Sequence, residues 1–176
     1  RARAFTKWCP EPGVMDAAAV RAGVDERRAR LGVDRIDLLQ FHWWQYAHPA
    51  YLDALRELAA LREQGLVGHL GLTNFDTDHL RLLVRHGVPI ATNQVSFSLL
   101  DRRAAGAMSR FCRESGVRLL AYGTLGGGFL ADRWVGRPEP TELADWSKSK
   151  YKRFVDAIGG WDALPVSYTH LRAHET

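Results

Sequence analysis

Side chains that titrate or form strong hydrogen bonds close five short apolar runs in the sequence. They are Lys7, His42, the pair Thr73 and Asn74, the pair Asn93 and Gln94, and Tyr122. These residue types carry out acid-base catalysis and hold polar ligands in place. In parallel α/β folds the working residues lie at the carboxyl ends of strands, so all five groups are predicted to meet at one face of a sheet.

Each of these residues has an ordinary structural explanation when it is taken alone. A single histidine after an apolar run, as His42 is after Phe41, is more often a core histidine with satisfied hydrogen bonds. A single lysine at a strand end, such as Lys7, commonly extends its ammonium group into solvent. The repetition of such residues at five successive runs favours a functional site over these explanations.

The apolar runs themselves are predicted to be strands. Their bounds are Ala4–Thr6, Ile36–Phe41, Leu70–Leu72, Ile90–Thr92 and Val117–Ala121. Each run is followed by a loop or by an apolar pattern of helical spacing. Strands that alternate with helices at this scale indicate βαβ units and a parallel sheet, so the predicted fold class is α/β.

The helices between the strands have recognisable ends, because aspartate caps a helix start, proline fits the first turn and glycine suits the left-handed position after the last turn. The predicted starting residues are Asp16, Pro49, Asp76 and Asp101. The predicted terminating glycines are Gly65, Gly87 and Gly116. The side chains predicted to face the core are Val20 and Val24, then Leu52, Leu55, Leu58 and Leu61, then Leu80, Leu83 and Val84, then Ala105, Met108 and Cys112, and finally Tyr151, Phe154, Val155 and Ile158.

Composition and charge are those of one ordinary globular domain. The 176 residues suffice for a single sizeable core, and 46% of them are apolar and 25% charged. The net charge of +4 comes from arginines interspersed with carboxylates on helical stretches, which indicates solvated helix faces rather than a nucleic-acid surface. No apolar run is long enough to span a membrane, and no signal segment opens the sequence. Cys9 and Cys112 lack metal-ligand spacing, so a reduced cytoplasmic protein without a metal site is expected.

The last residues interrupt the pattern that precedes them. The segment from Val166 to Thr176, VSYTHLRAHET, reads as an in-frame translation of a transposase end and adapter used in sequencing libraries. A segment of this origin does not belong to the fold, so its two histidines are not metal-ligand candidates. Residues 1–164 are expected to be native and residues 165–176 to form a non-native tail. Because the first residue is Arg1 and not Met, the protein is expected to begin upstream.

Five stretches of the sequence, taken in order, are similar to one known family. AFTKW, DLLQFHWW, HLGLTNF, IATNQVSFSLL and RLLAYGTLGGGFL resemble barrel strands three to seven of the aldo-keto reductases. One such motif is a weak signal, whereas five in the right order and separated by helices are a specific one. The resemblance covers nearly all of the native part of the chain. It implies a partial (β/α)8 TIM barrel in which strands one, two and eight are missing.

The resemblance assigns catalytic roles to two residues. Lys7 matches the family's catalytic lysine and His42 matches its catalytic histidine. The family's catalytic tyrosine and aspartate lie on earlier strands, upstream of Arg1. Trp43, immediately beyond His42, is expected to line the substrate site, whereas packing at the barrel mouth explains Trp44 equally well.

Other positions match the family's cofactor-binding residues. Thr73 and Asn74 stand where a Ser-Asn pair binds the nicotinamide carboxamide. Gln94 matches the glutamine that shares this amide, and Tyr122 matches the aromatic residue that stacks on the nicotinamide ring. After Tyr122 the sequence G-T-L-G departs from the family's usual S-P-L-G near the pyrophosphate. The cofactor-binding candidates in this stretch are Gly123, Leu125 and Gly126.

The implied activity is hydride transfer from NADPH, or alternatively NADH, to the carbonyl group of a small aldehyde or ketone. A tyrosine proton donor has a pKa of about 10, and the ammonium group of Lys7 would bring it closer to neutral while His42 orients the carbonyl oxygen. Two alternatives are a nicotinamide-binding regulatory subunit of the same fold and an inactive truncated fragment with open sheet edges. No nucleic-acid or membrane partner is expected, and the sequence does not define an oligomeric state.

Overall fold

A sheet of five strands organises the chain in the computed structural model, which describes residues 2–134, 136–143 and 146–164. The strands are β1 (Phe5–Trp8), β2 (Ile36–His42), β3 (Val67–Thr73), β4 (Ile90–Ser96) and β5 (Arg118–Tyr122). They lie side by side in sequence order, and β1 with β2, β2 with β3 and β3 with β4 pair in parallel. Each strand overlaps the apolar run predicted for it.

One α-helix follows each strand. The helices are α1 (Ala17–Leu31), α2 (Tyr51–Glu63), α3 (Thr77–Arg85), α4 (Ala107–Ser115) and α5 (Trp146–Ala157). Short 3-10 turns lie at Arg103–Ala105, Gly126–Gly128 and Asp132–Trp134. The alternation of parallel strands and helices confirms the predicted α/β fold class.

The chain divides into two compact units. The first contains the described residues up to Val95 together with Gly106–Leu120, and the second contains Ser96–Ala105 and the described residues from Ala121 onward. The first unit therefore holds α1 to α4 and most of the sheet. The second holds the end of β5, the glycine-rich loop after it, and α5.

Aspartate caps two helix starts as predicted. Asp16 Oδ1 accepts a hydrogen bond from the Ala19 N–H at 2.8 Å, and Asp76 Oδ1 accepts from the N–H groups of Asp78 and His79 at 3.0 and 2.9 Å. These contacts satisfy backbone donors that have no partner inside the helix. Downstream of α2, Gly65 takes the predicted left-handed conformation, with φ of 80°.

The fourth helix begins later than predicted. It starts at Ala107, after a 3-10 turn at Arg103–Ala105 and a non-helical Gly106. The Asp101 carboxylate forms an ion pair with Arg103, at 2.8 Å from Nε and 2.7 Å from Nη2. Asp101 lies in the turn before the helix and does not cap it. Ala105 is accordingly exposed, whereas Met108 and Cys112 face the core as predicted.

The second helix also differs from its prediction at the start. It begins at Tyr51, with Pro49 in the preceding turn, and Leu52 is 40% exposed. A step of three residues falls about 60° short of a full turn around the helix axis, so a stripe of leucines at that spacing drifts off the buried face. Ala54 packs in the core where Leu52 was expected, and Leu55 is fully buried.

The core of the first unit lies between the sheet and its helices. Val20 and Val24 of α1 are fully buried, as predicted, and so are Leu39 and Phe41 of β2. The Phe41 ring packs against Trp8, Trp43 and Phe75, with ring centroids 5.6, 5.8 and 6.4 Å apart. This aromatic layer covers the helix-facing side of the sheet and leaves polar side chains on the other side.

A separate apolar cluster stabilises the second unit. Tyr151 and Val155 of α5 are buried in it, as predicted, whereas Ile158 is 39% exposed. The other buried members are Leu100, Phe129, Leu130, Trp161 and Leu164. The cluster fixes α5 to the segment that follows β5.

Within the described residues, no helix has both the length and the apolar character needed to cross a membrane. The helices are short and amphipathic, with one face in the core. The predicted adapter-derived tail, residues 165–176, lies outside the described part of the chain.

Candidate active site

The strand register places four of the predicted site residues on one face of the sheet. Lys7 is the Cα partner of Gln40, His42 is the partner of Thr73, and Thr73 is the partner of Gln94. Paired residues of neighbouring strands project to the same side, and so do residues two apart on one strand. Lys7, His42, Thr73 and Gln94 therefore share the face that is turned away from the helices, near the carboxyl ends of their strands.

His42 is half-buried at the last position of β2. Burial lowers the pKa of its imidazole, and the positive charge of Lys7 lowers it further. The imidazole is therefore held neutral to lower pH than a free histidine. In that form one ring nitrogen donates a hydrogen bond and the other accepts one.

Thr73 and Gln94 carry buried polar atoms that lack hydrogen-bond partners. Thr73 is 2% exposed, and neither its Oγ1 nor the Oε1 of Gln94 has a partner among the described residues. A buried polar atom without a partner is destabilising and uncommon in folded proteins. Two such atoms on adjacent strands indicate a place where a polar ligand would complete the hydrogen bonding.

Asn74 follows Thr73 in a conformation that few residues adopt. Its φ of 58° lies in the left-handed region, where asparagine is tolerated better than most residues other than glycine. Its N–H donates to the Gln94 carbonyl at 2.8 Å, and its own carbonyl accepts from the Tyr46 hydroxyl at 3.5 Å. Backbone strain of this kind clusters at binding sites.

The pair Asn93 and Gln94 is divided between the two faces of the sheet. Asn93 is fully buried, and its Nδ2 donates to the Phe75 carbonyl at 2.9 Å on the helix-facing side. Gln94 is in register with Thr73 on the opposite side. Of these two amide side chains, Gln94 lies on the same face as His42, and Asn93 forms its hydrogen bond in the core.

Trp43 is buried on the helix-facing side in this structure, and its predicted place beside the substrate stays a prediction. It is 1% exposed, its ring stacks on Phe41, and its indole N–H donates to the carbonyls of Gln45 and His48 at 2.9 and 3.1 Å. Because side chains alternate along a strand, the residue after His42 turns toward the helices. Trp43 thus holds the loop after β2, whereas Trp44 is 58% exposed.

Sequence reasoning missed three residues on the site face. Gln40 and Thr92 are buried, and Gln40 Nε2 and Thr92 Oγ1 have no hydrogen-bond partner among the described residues. Gly71 lies between them, and a Cβ there would collide with Thr92 Oγ1 and lie 3.1 Å from Gln40 Cγ. The sequence did contain a signal for Gln40: it lies two positions before His42, and side chains two apart on a strand project to the same face.

Tyr122 and the glycine-rich loop belong to the second unit. The Tyr122 carbonyl accepts from the Phe97 N–H at 3.1 Å, and the Lys150 ammonium lies over the Tyr122 ring, 5.0 Å from its centroid. Gly123 has φ of 66°, and a Cβ on it would overlap the hydroxyl of Tyr151. Position 123 therefore accepts only glycine, and the loop it begins is closely packed against α5.

The predicted loop residues also have internal contacts. The N–H of Gly126 donates to the Gly123 carbonyl at 2.8 Å, and the N–H of Gly128 donates to the Leu125 carbonyl at 2.9 Å. Leu125 is 62% exposed. These bonds give the loop a defined shape, and the cofactor-binding role of Gly123, Leu125 and Gly126 stays a prediction.

A row of parallel βα units with polar side chains at the carboxyl ends of its strands is the arrangement of TIM-barrel enzymes. The sequence model of the aldo/keto reductase family matches residues 3–166. The chain belongs to this family.

Relatives with known names match over most of the chain. An aldo-keto reductase of Mycobacterium sp. (strain JLS) is 36% identical over 158 residues, which cover 88% of the chain and 52% of the relative. Flagellar radial spoke protein 5 of Chlamydomonas reinhardtii is 29% identical over 196 residues, which cover 94% of the chain and 37% of that protein. The chain thus spans about half or less of the length of these relatives.

A solved structure agrees with the fold. A variant of the protein Gox0644, crystallised in complex with NADPH, superposes with a TM-score of 0.65 and 25% sequence identity over 75% of this chain and 48% of the other. The thermostable aldo-keto reductase Tm1743 superposes with a TM-score of 0.64 and 26% sequence identity over 74% of this chain and 47% of the other. This match to about half of an aldo-keto reductase confirms the predicted partial barrel.

Proposed function

We propose that the complete protein carrying this chain transfers hydride between a nicotinamide cofactor, NADPH, and the carbonyl group of a small aldehyde or ketone. The main support is the register that puts Lys7, His42, Thr73 and Gln94 on one face of the sheet. A titratable pair next to unpartnered hydrogen-bonding groups is what a carbonyl substrate and a polar cofactor ring require.

The unpartnered atoms suit the carboxamide of nicotinamide. That group has an NH2 donor and a carbonyl acceptor. Gln94 Oε1 accepts, the hydroxyl of Thr73 both donates and accepts, and neither has a partner among the described residues. Asn74, next in the chain, adds a second amide, and Tyr122 is proposed to stack on the ring. When bound, the cofactor supplies the hydride.

His42 is proposed to donate a hydrogen bond to the substrate oxygen. As hydride reaches the carbonyl carbon, negative charge develops on that oxygen, and a donor aimed at it stabilises the transition state. The lowered pKa of His42 leaves the ring neutral near pH 7, with one N–H available. A neutral donor orients the oxygen without competing with the proton donor.

Lys7 is proposed to tune that proton donor, a tyrosine of the family's earlier strands. A neighbouring ammonium group stabilises the phenolate and so lowers the pKa of the tyrosine toward the working pH. The positive charge of Lys7 contributes, after burial, to the lowered pKa of His42, which supports a place for Lys7 near the same site.

A binding or regulatory role is the second candidate, and one observation favours it. The similarity to flagellar radial spoke protein 5 extends over 94% of the chain. A regulatory subunit with the fold of this chain would bind the nucleotide without needing turnover. The two functions differ in one measurable property, which is reduction of a carbonyl compound.

The test uses a complete barrel that carries this chain. NADPH oxidation is followed by the loss of the near-ultraviolet absorbance that only the reduced cofactor has, with a panel of aldehydes and ketones. We expect turnover with at least one carbonyl class and loss of most of it in His42→Ala, with NADPH binding retained. Nucleotide binding without reduction of any carbonyl would contradict the enzyme assignment and favour the regulatory role.

A further inference from the structure

Lys150 places its ammonium group between two tyrosine rings. The nitrogen lies 5.0 Å from the ring centroid of Tyr122 and 5.3 Å from that of Tyr151. Both distances are within the range of cation–π attraction. One face of the Tyr122 ring is therefore occupied by a positive charge that belongs to the protein itself.

This arrangement is fixed by packing and is not a loose surface contact. Tyr151 is 3% exposed and packs on Gly123 and Gly127. A Cβ at Gly123 would collide with the Tyr151 hydroxyl, and a Cβ at Gly127 would come within 2.6 Å of the Tyr151 ring. Tyr151 and Val155 anchor α5 in the apolar cluster of the second unit. Lys150, one residue before Tyr151, is half-buried and is held beside Tyr122 by that anchoring.

We propose that Lys150 makes Tyr122 favour the reduced, neutral nicotinamide over the oxidised, cationic one. The inference rests on the proposed function, in which Tyr122 stacks on the nicotinamide. Lys150 takes one face of the ring, so a bound nicotinamide would stack on the opposite face. An ammonium group on one face draws the π-electron density toward itself and makes the opposite face a poorer partner for a second cation.

Direct charge repulsion acts in the same direction. With the nicotinamide on the opposite face, the two positive charges would lie roughly 8–9 Å apart, and their repulsion corresponds to about two- to thirtyfold weaker binding of the oxidised form, depending on the local dielectric constant. The neutral dihydronicotinamide ring of NADPH escapes this penalty. The site would thereby bind the reduced cofactor more tightly than the oxidised one.

Equilibrium binding tests the proposal without any turnover. Dissociation constants for NADP+ and NADPH are measured by quenching of tryptophan fluorescence in a complete barrel that carries this chain, at low ionic strength to limit screening. In Lys150→Met we expect the dissociation constant of NADP+ to fall by about two- to thirtyfold while that of NADPH changes by less than about twofold. Lys150→Arg keeps the charge and should keep the wild-type ratio.

Lys152→Met is the matched control, because its ammonium is on the same helix but pairs with Glu139 and Asp156. Its ratio of dissociation constants should match the wild type. An unchanged ratio of the two dissociation constants in Lys150→Met would overturn the proposal. If both constants rose by the same factor, Lys150 would instead be a contact to a part of the cofactor that both redox forms share. If the wild-type protein binds neither nucleotide, the proposed function itself fails.

Discussion

The Tyr46 ring stacks on the imidazole of His79, with ring centroids 3.9 Å apart and an angle of 23° between the planes. His79 Nδ1 lies 2.7 Å from the Asp76 carboxylate, and the Tyr46 hydroxyl donates to the Asn74 carbonyl. Tyr46 belongs to the loop after β2, and His79 to the first turn of α3. The contacts therefore tie that loop to the segment that carries the proposed amide-binding residue.

Asp76 should make the stability of this segment depend on pH. Burial raises the pKa of Asp76, but hydrogen bonds from the His79 N–H and ring outweigh it, and the net pKa is lowered. A carboxyl with a lowered folded-state pKa stabilises above its unfolded-state pKa and loses that contribution as the pH falls through the folded value.

Asp76→Ala should therefore cost about 1 kcal/mol of unfolding free energy at pH 7, the usual value of an aspartate cap. The difference from wild type should shrink as the pH falls below about 4. Urea unfolding at several pH values measures this. Asp76→Asn is the control, since it caps the helix without a titratable group, and a difference between wild type and Asp76→Ala that is independent of pH would contradict the prediction.

Thr73→Val should affect stability and cofactor binding in opposite directions. The Thr73 hydroxyl is buried without a partner among the described residues, so valine should leave the unfolding free energy without cofactor unchanged or raise it by up to about 1 kcal/mol. If the hydroxyl binds the carboxamide, the dissociation constant of NADPH should rise about five- to tenfold. Thr73→Ser keeps the hydroxyl and should bind normally. A clear loss of stability in Thr73→Val with unchanged NADPH affinity would show that the hydroxyl serves the fold.

Gly71→Ala should destabilise the sheet by about 1–3 kcal/mol, because a methyl group there has no space beside Thr92 and Gln40. Adding Thr92→Ala should recover part of the loss by removing the colliding hydroxyl. Thermal unfolding measures both effects. Gly13→Ala is the control, because a Cβ there has its nearest neighbour 4.0 Å away, and an equal loss in both variants would contradict the crowding argument.

Lys7→Met should separate catalysis from cofactor binding. If Lys7 tunes the proton donor, the rate of carbonyl reduction should fall about a hundred- to ten-thousandfold while the dissociation constant of NADPH stays within about twofold. In Gln94→Ala the main effect should instead be on cofactor binding, with a higher dissociation constant for NADPH. Steady-state kinetics and fluorescence titration measure the two effects, and turnover of Lys7→Met within about twofold of wild type would rule out this role for the lysine.

The strands and the shared face were predictable because both follow from local patterns. Apolar runs that end in polar residues located every strand, and the positions of Lys7, His42 and Gln94 at the run ends agree with the register. Periodicity within a run does not say which of two neighbours faces the site. For that reason the pattern did not show that Trp43 packs on the helix-facing side or that Gln40 shares the face of His42.

Other errors arose where a specific side-chain contact overrides the general pattern. Asp101 has a good capping side chain, but its buried carboxylate pairs with Arg103, two residues further along the chain. The contact of Lys150 with Tyr122 joins residues 28 positions apart in the sequence (122 to 150). Nothing in the local pattern around either residue indicates it.

The left-handed backbone at Asn74 restricts which codons a selection experiment would recover at this position. Glycine, aspartate and asparagine are the residues that accept such a φ most readily. Glycine offers no side chain to a carboxamide, and aspartate offers only acceptors. A library randomised at position 74 and selected for nucleotide binding should therefore return asparagine almost alone, whereas selection for folding alone should enrich glycine alongside it.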